Sequence, residues 1–194
     1  MMFPRPGQIR FADGEDISLD IKLWRCPPEK MKMREWQKRD SRTPAHWVPL
    51  PRQAMEILQE LHPLTGPSGT LFRSMSRRSE KSRYMSENTV IAALRAMGYD
   101  TKEDITGHGF RATARTMIRE YLGWDPDVIE RHLAHVSDEE LGGSYDRTTF
   151  LAQRREMVQQ WADFLDDLQA RKIPAQAENV LQFVRPPAPR VRRA

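Results

Sequence analysis

The order of the periodic segments constrains the fold of this chain more than any other feature. Short stretches that alternate apolar with polar residues come first, at residues 16–20, 22–26 and 46–50. A repeat of two is typical of β-strands, and the β-branched and aromatic residues in these stretches support that interpretation. The later periodic stretches have helical spacing. This order predicts an α+β fold, in which a small antiparallel sheet of about three strands packs with a mostly helical body.

Apolar residues at helical spacing predict five helices after the third strand. The first follows Pro51, which can occupy the first position of a helix. Its stripe at i, i+3, i+4 and i+7 consists of Ala54, Ile57, Leu58 and Leu61. The other helices are predicted at about residues 86–98, 110–121, 125–133 and 148–170. The inner faces of two of them are predicted to hold Phe110, Ala114, Met117 and Tyr121, and Val158, Trp161, Leu165 and Leu168.

The basic residues are unevenly distributed along the chain. The formal net charge is +4, yet residues 171–194 contain six Lys or Arg and one Glu, so they carry +5 and the remainder −1. This segment is also Pro-rich and without periodicity, so it is predicted to be a flexible basic tail after a folded domain at residues 1–170. Two further basic stretches, residues 30–42 and 73–83, are either solvated loops or parts of a phosphate-binding face.

Several classes of protein are disfavoured by what the sequence lacks. No stretch is long and apolar enough to span a bilayer, and the first residues have no apolar run typical of a secretory signal. Cys26 is the only cysteine, so no disulfide can form within the chain, which suits a reducing compartment. The five histidines and Cys26 have no metal-ligand spacing. The expectation is a cytoplasmic protein with no membrane partner and no metal.

His108 and Arg111 form the first pair that suggests chemistry. They lie three residues apart at a predicted helix start, so they share a face at an end that favours bound phosphate. An arginine there can hold a phosphodiester and a histidine can move a proton. Such a pair also occurs on ordinary surface helices. His135 and Tyr145 follow in order, and a His, Arg, His, Tyr series is much rarer than any one member.

With these residues in order, the chain resembles the tyrosine recombinase (phage integrase) family. HGFRATA at residues 108–114 resembles its His-x-x-Arg box, and SYDR at 144–147 resembles its tyrosine box. LAH at 133–135 resembles its Leu-Gly-His box, with Ala134 at the usual glycine. The succession of MKM, HWVPL, MSENT, DVIERHLAH and RREMVQQWADFLD resembles integrases of satellite phages and genomic islands. The resemblance covers about Arg5 to Asp166 and implies a catalytic domain of this family.

The resemblance implies six catalytic residues, which are Arg5, Lys32, His108, Arg111, His135 and Tyr145. The two arginines would hold the nonbridging oxygens of a phosphodiester, which the tyrosine oxygen would attack. The first histidine would accept a proton, the sheet-borne lysine would donate one to the departing 5′ oxygen, and the second histidine would hydrogen-bond a phosphate oxygen. The product would be a 3′-phosphotyrosyl link, and no metal or nucleotide cofactor is implied.

Some assignments within this resemblance have alternatives. Lys30 competes with Lys32 for the role of the lysine. Gln8 stands where the family's Arg-x-Gly-Glu box has glutamate, which puts the local geometry in question. His132 is interpreted as structural or exposed, and His46 and His62 as non-catalytic. Trp161 is interpreted as a core residue or as a docking contact for a neighbouring subunit.

Arg5 lies four residues after Met1, whereas the family has catalytic-domain helices and a core-binding domain before this arginine. The expectation is therefore a catalytic domain that lacks both. Three functions remain open: an active DNA strand transferase for integration or excision of a mobile element, a catalytically incompetent prophage-integrase remnant that only binds DNA or protein, and a related relaxing topoisomerase, which the integrase pattern disfavours. The implied partner is double-stranded DNA at attachment sites, bound by a tetramer of the full-length protein.

Overall fold

The sheet in the described part of the chain has three antiparallel strands, as the sequence predicts. The structure, a computed structural model, describes residues 2–74, 84–135 and 149–170. Strands β1 (Ile17–Ser18), β2 (Leu23–Cys26) and β3 (His46–Pro49) lie in that order, with β2 in the centre. Trp24 of β2 is opposite Ile17 on one side and Val48 on the other, which places its indole in the interior.

Seven α-helices lie in the described residues, and the α+β prediction is confirmed. They are α1 (Pro6–Arg10), α2 (Glu35–Arg39), α3 (Arg52–Thr65), α4 (Thr89–Ala96), α5 (Gly109–Glu120), α6 (Pro126–His132) and α7 (Leu151–Gln169). The two short helices were not predicted, because five residues are too few for an apolar repeat to show. No helix in the described ranges is both long and apolar enough to cross a membrane.

Two apolar clusters hold these elements together. One lies between the sheet and α3 and contains Trp24, Cys26, Val48, Leu50, Met55, Leu58 and Leu71. The other lies between α5, α6 and α7 and contains Ile118, Ile129, Leu133, Met157, Val158 and Trp161. Trp161 is 5% exposed, so it is a core residue of its own chain and is not available for docking on a neighbour. The apolar stripe of α7 is therefore covered by α5 and α6.

Two residues predicted to face the interior do not. Ile57 is 46% exposed, because α3 turns the face of Ala54, Met55 and Leu58 toward the sheet. Phe110 is 48% exposed, because it lies in the first turn of α5, before the part of that helix that packs into the core at Ala114. In both helices the predicted apolar spacing agrees with the structure, but the predicted inward direction of these two side chains does not.

Ala134 adopts a left-handed backbone conformation, with a φ of 50°. It occupies the position at which the resembled family has glycine, and the methyl group of alanine makes this region of φ unfavourable. The turn that Ala134 makes sets the direction of the chain from α6 to His135, so the strain is stored next to a candidate site residue.

Replacing Ala134 with glycine is therefore expected to stabilise the protein. The free energy of unfolding should rise by about 0.5–1 kcal/mol, since relief of the left-handed strain exceeds the entropic cost of glycine. Urea denaturation measures the change. The matched control is Ala112→Gly, at an exposed position inside α5, where the same substitution should destabilise by about 1 kcal/mol. If Ala134→Gly destabilised as much as Ala112→Gly, the backbone assignment at Ala134 would be wrong.

Candidate active site

Arg111 is the most buried of the five predicted site residues that the structure describes, with 5% of its surface exposed. It lies in the first turn of α5, and its Nη1 donates to the carbonyl oxygen of Phe3 at 3.0 Å. Its Nη2 donates to the carbonyl oxygen of Leu133 and lies 3.2 Å from Nε2 of His135. Burial, followed by the nearby charge of Arg5, lowers the pKa of Arg111 to about 10. Arg111 thus joins α5 to the N-terminal segment and to the turn after α6.

His135 ends the turn that follows α6, and both of its ring nitrogens have partners. Its backbone N–H donates to the carbonyl oxygen of Glu130 at 3.1 Å, which closes the turn. Its Nδ1 lies against the Glu130 carboxylate, and its Nε2 faces Arg111. Glu130 in turn accepts a hydrogen bond from Nε of Arg115 at 2.6 Å. A continuous polar chain therefore runs from Arg115 through Glu130 and His135 to Arg111.

Glu130 was not recognised from the sequence. Burial acts to raise the pKa of its carboxyl, but hydrogen bonds from His135 and Arg115 bring that pKa below its ordinary value. The only local signal was its position five residues before His135, across the end of a helix. Arg115 comes from the neighbouring helix α5, and a pairing between helices cannot be inferred from spacing within one of them.

Arg5 is held in place by Gln8, the residue that departs from the family pattern. Arg5 is the N-terminal cap of α1, and its backbone N–H donates to Oε1 of Gln8 at 2.9 Å. The Gln8 amide, 3% exposed, also donates to Sγ of Cys26 at 3.5 Å. Burial raises the pKa of Cys26 to about 11, so the thiol is neutral and a neutral amide suits it. Arg5 is close enough to Arg111 and His46 for its charge to lower the pKa of each.

Lys32 does not lie in a strand, although the resemblance implies that the family's lysine is carried by the sheet. It is exposed in the connection between β2 and β3, which contains α2 and is too long for a tight hairpin. It borders a cleft of about 380 Å³ whose lining also includes Ala134, the neighbour of His135. The connection therefore brings Lys32 beside the turn that carries His135.

Lys30, the competing lysine, is engaged elsewhere. Its Nζ lies 2.7 Å from a carboxylate oxygen of Asp13 and also binds the carboxylate of Asp16. Burial acts to lower the pKa of Lys30, but these two carboxylates raise it above its ordinary value. These two ion pairs hold the beginning of the connection between β2 and β3. Lys30 is therefore a structural cation, whereas Lys32 is exposed at the cleft.

The structure gives less information on the two remaining predicted residues, His108 and Tyr145. His108 is the N-terminal cap residue of α5. Its side chain is exposed, and its carbonyl oxygen accepts the N–H of Arg111 at 3.1 Å. Tyr145 lies outside the described residues. The structure therefore brings Arg111 and His135 into contact, with Arg5 near enough to Arg111 to affect its charge, and places Lys32 on the adjoining cleft. Over the described ranges, no three His, Cys, Asp or Glu side chains are grouped as a metal site requires.

A buried polar cluster that sequence analysis did not anticipate lies next to this site. Arg154 of α7 is 3% exposed and donates to the carbonyl oxygens of Trp47 and Thr149. His46 lies 3.4 Å from the Arg154 guanidinium, and its Nε2 donates to the carbonyl oxygen of His132 at 3.1 Å. These contacts tie the beginning of α7 to β3 and to the end of α6.

His132 and His46 are both neutral in this cluster. His132 donates from Nε2 to the carbonyl oxygen of Met2 at 3.0 Å, and its buried Nδ1 has no partner among the described residues. Burial, and then the charge of Arg154, lowers the pKa of His46 to about 4 and that of His132 well below its ordinary value. Protonation of either ring would therefore bury a charge beside existing cations.

This arrangement predicts a loss of stability on mild acidification. Well above pH 6.5 both rings are neutral in the folded and unfolded chain, and pH has no effect through them. Below pH 6.5 the unfolded chain binds protons that the folded chain does not, so the free energy of unfolding falls until folded His46 titrates near pH 4. His46 alone should account for roughly 3 kcal/mol over that range.

The prediction is checked by urea denaturation at several pH values between 7.5 and 4.5. The variant His46→Gln should show a flatter dependence than the unmodified chain, because one of the two titrating rings is gone. His62→Gln, at an exposed position of α3, is the matched control and should leave the dependence unchanged. Identical curves for His46→Gln and the unmodified chain would contradict a buried neutral His46.

The chain is similar in sequence to known proteins. The phage integrase family matches residues 4–151 of the chain. The integrase of Enterobacteria phage P4 is 41% identical over 179 residues, which cover 86% of this chain and 38% of that protein. The putative protein IntB of Escherichia coli K12 is 35% identical over 170 residues, covering 86% and 42%, and the integrase of Shigella phage Sf6 is 36% identical over 163 residues, covering 84% and 39%. The chain thus spans about two fifths of these relatives' lengths, and no solved structure matches it.

Proposed function

The chain belongs to the phage integrase family, and we propose that its residues 1–170 form the strand-cleaving domain of a site-specific DNA recombinase. The observation that carries the proposal is the contact between Arg111 and His135, which come from separate segments and lie 3.2 Å apart. Two nitrogen atoms at that separation can both hydrogen-bond to one oxygen of a bound phosphate. Arg5, close enough to lower the pKa of Arg111, would supply the second guanidinium.

The electrostatics of this site suit an anion. Arg111 is buried among uncharged backbone acceptors, and its hydrogen bonds to described residues include none to a carboxylate. Its charge is therefore poorly screened, and a phosphodiester would gain more from it than from an arginine in water. Negative charge increases on the nonbridging oxygens during attack, so these donors would stabilise the transition state more than the substrate.

The reaction that follows is a transesterification. The phenolic oxygen of Tyr145 attacks phosphorus, the bond to the 5′ oxygen breaks, and a 3′-phosphotyrosyl link remains. His108 accepts the phenolic proton, and Lys32, exposed at the cleft, donates a proton to the departing 5′ oxygen. The energy of the phosphodiester is conserved in the link, so a 5′-hydroxyl of another strand can reverse the step and complete strand exchange. The step requires no cofactor.

We propose double-stranded DNA as the partner, with the connection between β2 and β3 as one of its contacts. This connection borders the cleft and presents the exposed residues Arg34, Trp36 and Arg39. Backbone contacts of this kind give affinity that falls steeply with salt and has little sequence preference. The basic residues of 171–194 would add to that attraction. In the whole protein, a tetramer on paired attachment sites would carry out integration or excision of a mobile element.

The test is a nicked suicide substrate, which loses a short strand on cleavage and traps the covalent link. The expected result is a DNA–protein adduct that survives denaturing detergent. Binding of the duplex without any adduct would instead support the alternative of a catalytically incompetent remnant that only binds DNA. A preference for an attachment sequence over random duplex distinguishes a recombinase from a relaxing topoisomerase.

A further inference from the structure

The proposed reaction assigns no role to the carboxylate of Glu130. This carboxylate lies between Arg115 of α5 and the ring of His135: one oxygen accepts from Nε of Arg115 at 2.6 Å, and the other contacts Nδ1 of His135. The opposite nitrogen of the ring, Nε2, is 3.2 Å from Arg111. His135 is thus held at both nitrogens, by a carboxylate on one side and by a guanidinium on the other.

Since it acts through His135 rather than on DNA, we propose that Glu130, held by Arg115, is a positioning residue for the strand-cleaving step. It keeps the proton of the neutral His135 ring on Nδ1 and aims Nε2 at the place where a phosphate oxygen binds. This inference rests on the proposed function for its consequence in catalysis, but its structural content stands independently.

The chemistry of imidazole explains why the carboxylate decides the tautomer. A carboxylate only accepts hydrogen bonds, so the nitrogen that faces it carries the proton, and Nε2 has the lone pair. In the DNA-free chain this lone pair faces the donor Nη2 of Arg111. When a phosphate enters and Nε2 takes up a proton from solvent, the ring becomes a cation between two anions, the Glu130 carboxylate and the phosphate. Its hydrogen bond to the phosphate oxygen is then charge-assisted and roughly twice as strong as a neutral one.

The geometry of α5 links both ends of this arrangement. Arg111 and Arg115 are four residues apart, so they lie one turn apart on the same face of α5. Arg111 contacts Nε2 of His135, the nitrogen proposed to face the phosphate, and Arg115 contacts Glu130. Glu130 also accepts the backbone N–H of His135 at 3.1 Å through its carbonyl oxygen, so a single residue fixes both the turn and the ring.

The first measurement is the rate of covalent adduct formation on the suicide substrate. Glu130→Ala should lower that rate by about ten- to hundredfold, the usual effect of losing a group that orients a functional histidine, with DNA affinity nearly unchanged. Glu130→Gln should retain most of the rate, because its amide oxygen still accepts from Nδ1. In a His135→Ala background, Glu130→Ala should have no further effect. An additive loss in that background would overturn the proposal, as would failure of Glu130→Gln to recover any of the rate.

The second measurement needs no activity: nitrogen-15 NMR of the histidine rings in the DNA-free chain. In the unmodified chain, neutral His135 should carry its proton on Nδ1 alone, and in Glu130→Ala the ring should lose this single tautomer, so that a form with the proton on Nε2 is also populated. The matched control is Glu120→Ala, at an exposed position of α5, which should change neither the spectrum nor the adduct rate. A proton on Nε2 in the unmodified chain would overturn the inference. An absence of adduct together with the predicted tautomer would count against the proposed function alone.

Discussion

Replacing Tyr145 with phenylalanine is expected to abolish covalent adduct formation on a suicide substrate. The phenolic oxygen is the attacking atom in the proposed reaction, and phenylalanine lacks that atom while keeping the ring. Because the proposed role of Tyr145 is to make a bond rather than to hold the DNA backbone, the affinity for duplex should change by no more than about twofold. Adduct formation is read on a denaturing gel and affinity from a gel-shift titration.

The control for this substitution is Tyr99→Phe, a change of the same kind at an exposed position after α4. It should leave both adduct formation and affinity unchanged. If Tyr145→Phe still formed adduct at the unmodified rate, another residue would be the nucleophile. The assignment by the SYDR motif would then be wrong, although the family membership would stand.

The second large effect is expected from Arg111→Lys, which keeps the positive charge and removes the planar fork. The guanidinium of Arg111 contacts the carbonyl oxygens of Phe3 and Leu133 and the ring of His135 at the same time. An ammonium group is a compact point charge and cannot reproduce this geometry. The rate of adduct formation should fall by at least about a hundredfold, the usual effect of losing one donor to a developing oxyanion.

Arg111→Lys also changes buried contacts, so folding has to be measured alongside the rate. Circular dichroism and urea denaturation should show a folded protein that is less stable by about 1–3 kcal/mol, because at least one buried carbonyl loses its partner. Arg119→Lys, at an exposed position of the same helix, is the matched control and should change neither quantity. A folded Arg111→Lys variant that cleaves at the unmodified rate would exclude Arg111 from phosphate binding.

The sequence predicted the features that depend on neighbouring residues. The three strands occur where alternation placed them, and α6 begins at Pro126 behind Asp125, whose side chain accepts the N–H of Asp127. These features depend on short-range backbone hydrogen bonds and on sterics within a few residues, so spacing and capping residues reveal them.

Contacts between distant segments were not predictable in the same way. The resemblance implies a sheet-borne lysine, whereas Lys32 lies in the connection beside the turn after α6, and only tertiary packing decides how such a long connection folds. The pairing of Glu130 with Arg115 depends on how α5 crosses α6, and the burial of Arg154 beside β3 depends on the approach of α7. A single sequence contains no measure of those angles.

The departures from the family pattern became interpretable only with coordinates. Gln8 in place of glutamate raised doubt about the geometry at Arg5, yet its amide caps the Arg5 backbone and donates to the neutral thiol of Cys26. Ala134 in place of glycine is accommodated with a positive φ, at an energetic cost that the Ala134→Gly variant measures. Gln8 therefore still holds the backbone of Arg5, whereas Ala134 leaves a strained turn.

The central claim, cleavage of DNA through a tyrosyl link, is tested most directly by identifying the residue that becomes attached to DNA. The trapped adduct is digested with trypsin and nuclease, and the modified peptide is fragmented in a mass spectrometer. Cleavage after Arg131 and Arg147 gives a peptide of residues 132–147, in which Tyr145 is the only tyrosine. We expect a nucleotide joined through its 3′ phosphate to Tyr145. A nucleotide on any other residue, attachment through a 5′ phosphate, or no attachment by a chain that binds the same duplex, would contradict the account.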